Sequence, residues 1–464
     1  MIVRVALRSL AARPIRSAVL ATGFGLGVGV MVTLLGVGDV ILRQARAPAL
    51  AGGGDVVIGS ASGRLANAAF VLYTLRPGGP FQGVQALSPT ARDTMYLRHD
   101  GRAVPIVVRS GIPSAERQLG AVETRAIAGW TDTAADRAWL AADPGQVLRS
   151  IDRFHAIPAV PARAASWAEW LYFNGTANGT RFYLTFMSGR ERSAGQREVG
   201  VRLQLERGGV MSAYSSGAVA ASADLVKDAP DLTFGLNSVR LVGTDYRISL
   251  DLPAETGHAS VVGTLVVRGD PARAVPPFVL QGAGGWISGY VVPVTVGALD
   301  GELRVGDTTI ALSGGRAYHD HNWGFWDGVS WQWGQVQGEG LSFVYGRVRP
   351  PADAADPEHV PGFLGVLGPD GPLAFSTDAA IDETNGSGTG QPSRIVVRAR
   401  NDGVDATLTL DVAQTTVTRG REGRGLGGTL DFLQMRATCS VKARVGSRVY
   451  DFAAPASAET FRER

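Results

Sequence analysis

Only one cysteine, Cys439, occurs in the 464 residues. One thiol cannot form an internal disulfide and does not make a cysteine metal centre. It reads as a buried strand cysteine. An excess of charge of either sign is also lacking: 45 basic residues stand against 42 acidic ones, a formal net charge of +3. No run rich in Lys or Arg occurs outside the N-terminus, which argues against nucleic acid as a partner. Charged residues are scarce at 19%, and 45% of the chain is hydrophobic, so most of it should fold around a core. Beyond residue 42 there is no apolar run long enough for a second membrane helix.

Glycine is abundant, with 61 residues, and suits a chain of many tight turns and strand ends. The stretch from Ser17 to Gly38 carries no charge. It exceeds the about 20 residues that a helix needs to cross a bilayer. Arg4, Arg8, Arg13 and Arg16 precede it without an acidic residue, so the N-terminus is expected in the cytoplasm and the body outside. A cleaved signal peptide is the rival reading, with Ala45-Arg46-Ala47 and Ala49-Leu50-Ala51 as small-residue patterns. Its apolar region is usually shorter, about 7–15 residues. Gly23, Gly25, Gly27 and Gly29 would give the helix a face that a second helix could approach closely.

Residues 1–16 are thus expected as a basic cytoplasmic terminus, 17–42 as the anchor and 43–160 as a small α+β region beside the membrane. In that region VVIG (56–59) and VPIVVRSGI (104–112) read as strands, and Ala134–Ile151 as helical pieces broken at Pro144. Pro158 and Pro161 read as a linker. From Trp167 onward short runs such as RFYLTFM (181–187), VGVRLQL (199–205), YRISLDL (246–252), LSFVYGRV (341–348) and ATLTLDV (406–412) alternate or stay apolar between turn signals. Such regularity predicts a mainly β body, and its length predicts two barrel-like halves, 161–310 and 311–464. Pro351–Pro392, around a short FLGVL strand, reads as surface loop.

Chemistry concentrates in GGRAYHDHNWGFWDGVSWQW (314–333). In an extended strand Tyr318, Asp320 and Asn322 share one face, and His319, His321 and Trp323 share the other. Three readings follow. Asp320 can be a general acid whose proton is retained by burial, oriented by Tyr318, with the tryptophan faces stabilising a developing cation. His319 and His321 can bind a metal, although His99, His155, His258 and His359 lie in unrelated contexts and offer no third ligand. The cluster can also be a buried structural network. Trp331 and Trp333 share a strand face, as do Phe343 and Tyr345 in the next strand.

Two segments resemble known families. LRSLAARPIRSAVLATGFGLGVGVMVTLLGVGD (7–39) resembles the first membrane helix of FtsX/MacB-type ABC permeases. GRAYHDHNWG (315–324) followed by WQW (331–333) resembles the signature of the hydroxyneurosporene synthase (carotenoid 1,2-hydratase) and AttH-like superfamily, to which tocopherol cyclase and lipocalin-type Diels–Alderases are similar. AEWLYFNGTANGTRFYLTFM (168–187) is similar to that family's opening segment through Glu169, Trp170, Tyr172 and Phe173, with Leu171 replacing a tryptophan. ASAETFR (456–462) is similar to its final strand. WISGYVVPV (286–294) has Trp286 and Tyr290 where the hydratases carry a His/Trp pair.

The resemblance implies two lipocalin-like β-barrels around an apolar ligand site, and a cofactor-independent protonation of an isoprenoid double bond. Asp320 inherits the acid role, with Tyr318. His319, His321, Asn322, Trp323, Trp326, Trp331, Trp333, Tyr345, Glu169, Trp170 and Tyr172 are the expected ligand contacts. The resulting expectation is a membrane-anchored hydratase- or cyclase-like protein on the outer side of the inner membrane, acting on an isoprenoid or lipid-like molecule. It needs no metal and no cofactor. The alternative is a non-catalytic lipid-binding subunit associated with an ABC permease.

Overall fold

The computed structural model describes residues 56–59 and 65–463, except 66, 82, 121–127, 194, 257–258, 389 and 420–429, together with scattered positions between 14 and 32. Most of the charge-free stretch Ser17–Gly38, its four glycines among them, lies outside the described residues. Thr22, Phe24, Leu26, Val28, Val30, Met31 and Val32 within it are helical. Among the described residues no helix is long and apolar enough to cross a membrane. VVIG (56–59) is not a strand, and no strand among the described residues pairs with it.

The chain divides into two compact units, of which the smaller contains residues 86–133. Here β1 (Thr90–His99) and β2 (Arg102–Gly111) make an antiparallel hairpin, and the helix Pro113–Leu119 follows. Residues 66–85 and everything from 134 onward belong to the larger unit. The region 43–160 is therefore not one α+β module. Its second half is drawn into the β body by the helix Pro144–Ile151, capped by Asp143 and started by Pro144. Val147, Leu148 and Ile151 of this helix are buried in the same core as the strands around them. Three such side chains contribute about 1.5–3 kcal/mol each.

The first sheet of the larger unit begins with β3 (Trp167–Ala177), β4 (Thr180–Ser193), β5 (Gln196–Arg207) and β6 (Val210–Ala221). It continues with β7 (Leu232–Phe234), β8 (Asn237–Val242), β9 (Asp245–Leu252), β10 (Val261–Arg268), β11 (Val275–Gln281) and β12 (Ile287–Val305). β13 (Thr308–Ala311) and β14 (Gly315–Phe325) complete it. The order is β6-β5-β4-β3-β14-β12-β10-β9-β8-β7, with β11 and β13 on β12. A bridge between Tyr214 and Ala254 brings the two ends together, so the sheet is a nearly closed barrel. Alternation sets its lining: in β9, Tyr246, Ile248, Leu250 and Leu252 point inward while Arg247 and Ser249 are exposed.

The second barrel is closed and runs β15 (Ser330–Gly338), β16 (Leu341–Arg349), β17 (Gly362–Gly368), β18 (Gly371–Asn385), β19 (Pro392–Arg400), β20 (Val404–Arg419), β21 (Leu430–Val445) and β22 (Arg448–Glu463). Two lipocalin-like barrels are thus present, as the strand pattern predicts. Two details differ. The motif strand β14 lies in the first sheet, paired with both β12 and β3, so the division falls between Phe325 and Ser330 and not at residue 310. The first strand of the sheet, β3, would otherwise expose an unpaired edge. The span Pro351–Pro392 is not mainly surface loop: β17 is buried throughout, and it and β18 are staves of the second barrel.

Candidate functional site

Both sides of the site follow from the pleat of β14, whose successive side chains leave opposite faces of the sheet. His319, His321 and Trp323 point into the first barrel. Immediately after the helix Pro144–Ile151, Asp152 meets both imidazoles: His319 Nε2 lies 3.0 Å from Oδ2 and His321 Nδ1 lies 2.8 Å from Oδ1. Tyr246 donates to the same carboxylate at 2.8 Å. His321 Nε2 is 3.0 Å from Glu169 of β3, which also holds His155 Nδ1 at 2.7 Å. The Arg197 guanidinium, fully buried, stands 3.8 Å from Glu169.

Asp152, Glu169 and His321 hold one another ionised. Burial alone would raise the Asp152 carboxyl, but the His319 and His321 imidazoles pull it well below the ordinary carboxylate range. Glu169 is lowered in the same way, against its burial, by His155 and His321. Burial disfavours the His321 imidazolium, yet its bonds to Asp152 and Glu169 raise it to about 9.

His155, Glu169 and His321 bring potential metal-ligand atoms within 4.8 Å of one another. His155 therefore does not lie in an unrelated context. Residue 155 reaches the cluster because it follows the buried helix and stacks its ring on Trp323 at 4.2 Å. The adjacent Arg197 already supplies positive charge to Glu169, so the set suits an ion-paired network better than a divalent cation.

Tyr318, Asp320 and Asn322 point the other way, toward the second barrel. There the outer face of the first sheet and the outer faces of β15, β21 and β22 leave a cavity of about 1340 Å³. Trp170, Tyr172, Asp320, Asn322, Trp326, Trp331 and Trp333 line it. Indole rings crowd one wall: Trp170 and Trp326 are 4.8 Å apart, Trp326 and Trp331 5.1 Å, and Trp331 stacks on Phe461 at 3.9 Å.

Asp320 is buried, accepts a bond from Asn322 Nδ2 at 2.7 Å and is bonded by Tyr318. The Tyr318 hydroxyl in turn accepts from Trp333 Nε1 at 2.8 Å, which leaves its proton for Asp320. Among the described residues no arginine or lysine pairs with Asp320. Burial and the facing carboxyl of Glu459 raise Asp320 well above the ordinary range, against the pull of Tyr318, Asn322 and His321. Glu459, half-buried on β22, is itself raised by burial to about 7 even though Tyr172 and Gln434 bond it. Two carboxyls thus share one indole-walled cavity, and both bind protons more tightly than in water.

Seven of the expected contact and acid residues meet in this cavity, and Tyr318 supports them from behind. Four others, His319, His321, Trp323 and Glu169, lie on the opposite side of the sheet in the first barrel. Tyr345 is buried within the second barrel, where its ring packs on Gly334 of β15. The sequence reading missed Glu459, Gln434, Asp152 and His155. Glu459 sits in ASAETFR, whose alternation Glu459–Phe461 on one face and Ala458–Thr460 on the other is the only local signal. Nothing in the sequence around Asp152 shows that it faces two histidines more than 160 residues away.

No protein-family profile and no curated protein matches the sequence. Among solved structures the chain is similar to an AttH-like protein from Nitrosomonas europaea, with 14% identity and a TM-score of 0.44 over 63% of this chain and 92% of that one. It is also similar to kievitone hydratase from Nectria haematococca, with 13% identity and a TM-score of 0.42 over 67% of this chain and 94% of that one. CghA with Sch210972 has 10% identity and a TM-score of 0.42 over 68% of this chain and 94% of that one.

Proposed function

We propose that this chain is a cofactor-independent hydratase- or cyclase-like protein that protonates a C=C bond of an apolar, isoprenoid or lipid-like molecule in the cavity between its barrels. The observation that carries the reading is the pair Asp320 and Glu459 against tryptophan faces. Asp320, held protonated, gives its proton to one alkene carbon. The cation on the other carbon faces the rings of Trp170 and Trp331, whose quadrupoles favour positive charge, and the new Asp320 carboxylate. Water adds to that carbon and passes a proton to ionised Glu459, which returns it to Asp320. Atoms and charge balance, and no redox partner enters. In a cyclase variant of the step, a second alkene of the same molecule captures the cation in place of water, and the new cation loses a proton from a neighbouring carbon to ionised Glu459, which returns it to Asp320.

An envelope location accords with the charge-free stretch after four arginines, which would hold the cavity beside a source of lipid. The test is incubation of the purified chain with acyclic prenyl lipids in D₂O containing H₂¹⁸O. One deuterium on carbon and one labelled hydroxyl are expected in a hydrated product. Ligand that is bound but recovered unlabelled and unchanged would reduce the protein to a carrier.

The pH dependence has a definite sign. Glu459 must be ionised and titrates near 7, so the rate rises with pH through about 7. Asp320 must be protonated and releases its proton only well above the ordinary range, so the rate falls again at higher pH. A bell-shaped kcat/KM profile is expected. A rate that is flat from pH 5 to 8, a window of about three units around neutrality, contradicts these roles.

A further inference from the structure

Three glycines on adjacent strands, Gly189 on β4, Gly200 on β5 and Gly217 on β6, line the cavity floor. Most glycines inside these barrels have a packing reason. A Cβ on Gly289 would enter the Trp323 ring, one on Gly334 the Tyr345 ring, and one on Gly346 the rings of Trp333 and Phe363. No side chain stands behind the floor glycines, and only Gly200 has a tight backbone contact. A Cβ on Gly189 would meet only Glu198 O at 3.7 Å, and one on Gly217 only Val199 O at 3.9 Å. On Gly200 it would meet only Ser216 O, at 3.2 Å. None of the three has positive φ. Glycine within a strand costs stability and forgoes a packed side chain, so what these positions supply is open space in the cavity.

Register places that space in line with the acid pair. Across the sheet Asn322 pairs with Trp170, Trp170 with Met187, Met187 with Gly200, and Gly200 with Gly217. One row over, Asp320 pairs with Tyr172, Tyr172 with Thr185, Thr185 with Arg202, and Arg202 with Ser215. From β14 to β6 there are four strand spacings, about 19 Å. We infer that the ligand lies extended across the strands, its reacting end at Asp320 and Glu459 and its tail over Gly200 and Gly217, and that these two glycines set the longest ligand accepted. The inference rests on the reading of the cavity as the ligand site, and it adds the residues that determine specificity for length.

The test is binding of geraniol, farnesol and geranylgeraniol to the full chain, read by quenching of tryptophan fluorescence. Gly200→Val and Gly217→Val fill the trough with side chains suited to strands; the melting temperature of Gly217→Val should equal or exceed that of the unaltered chain, and Gly200→Val, whose Cβ crowds the Ser216 carbonyl, should remain folded at the temperature of the binding assay. Binding of the longest alcohol should weaken about tenfold or more, while geraniol keeps its affinity within about twofold. Gly217→Val should act only on the longest ligand, and Gly200→Val on farnesol as well. Equal weakening for all lengths, or no weakening for any, overturns the inference while leaving the acid pair untouched. Failure of all three alcohols to bind the unaltered chain overturns it together with the site reading. Retained length discrimination in a chain that turns nothing over leaves the inference standing and removes only the chemistry.

Discussion

Asp320→Asn should lower kcat by about 10²–10⁴-fold while ligand binding and the fold stay intact. The amide has the size of the carboxyl and keeps partners in Tyr318 and Asn322, so little repacking is needed. What it lacks is a transferable proton. Glu459→Gln should show a different defect, because it removes the acceptor of the proton released by water. Its rate should be lower and should no longer rise through about pH 7, where the native glutamate ionises. Full activity in Asp320→Asn removes the acid role assigned here.

The second large effect concerns stability. Asp152→Asn should cost about 3–5 kcal/mol, because it takes the carboxylate from a buried ionic network and leaves His321 without its counter-charge and His319 without its carboxylate partner. Urea unfolding followed by the fluorescence of Trp323 and its neighbours would read the loss. A change below about 1 kcal/mol would mean that the network contributes no more than an exposed pair does.

The same network gives stability a pH dependence. His321 titrates at about 9 when folded against 6.5 when free. Its contribution is therefore complete below about 6.5 and disappears as pH rises through about 9. The shift corresponds to roughly 3 kcal/mol. The lowered values of Asp152 and Glu169 describe the same contacts seen from the other side, so they are not added.

The architecture was legible where side chains alternate. RFYLTFM, YRISLDL and LSFVYGRV predict strands and they form β4, β9 and β16. The two faces of Tyr318–Trp323 follow from the same period of two, and the structure separates acid from imidazoles along that line. What alternation cannot give is the partner across a fold. Asp152 and Glu459 reach the motif from 168 residues before Asp320 and 139 after it, through a buried helix and a closing strand. Nor does it tell which face opens on a void. His319, His321 and Glu169 were expected at the ligand, and packing of the helix against the barrel interior turns them instead into a filled core. The boundary at residue 310 differs for a related reason: the pairing of β14 with β3 joins residues at least 140 positions apart, which no local signal records.

A single strand separates the carboxyl-lined cavity from dry ionic packing by the parity of its residue numbers. Sliding β14 by one position would carry the carboxyl into the barrel and the imidazoles out to the cavity. The two-pronged hold of Asp152 on His319 and His321 penalises that displacement directly. An alteration at residue 152, on the far side of the sheet from the cavity, should therefore scramble which side chains line it: molecules still folded would give several Trp333 environments in place of one.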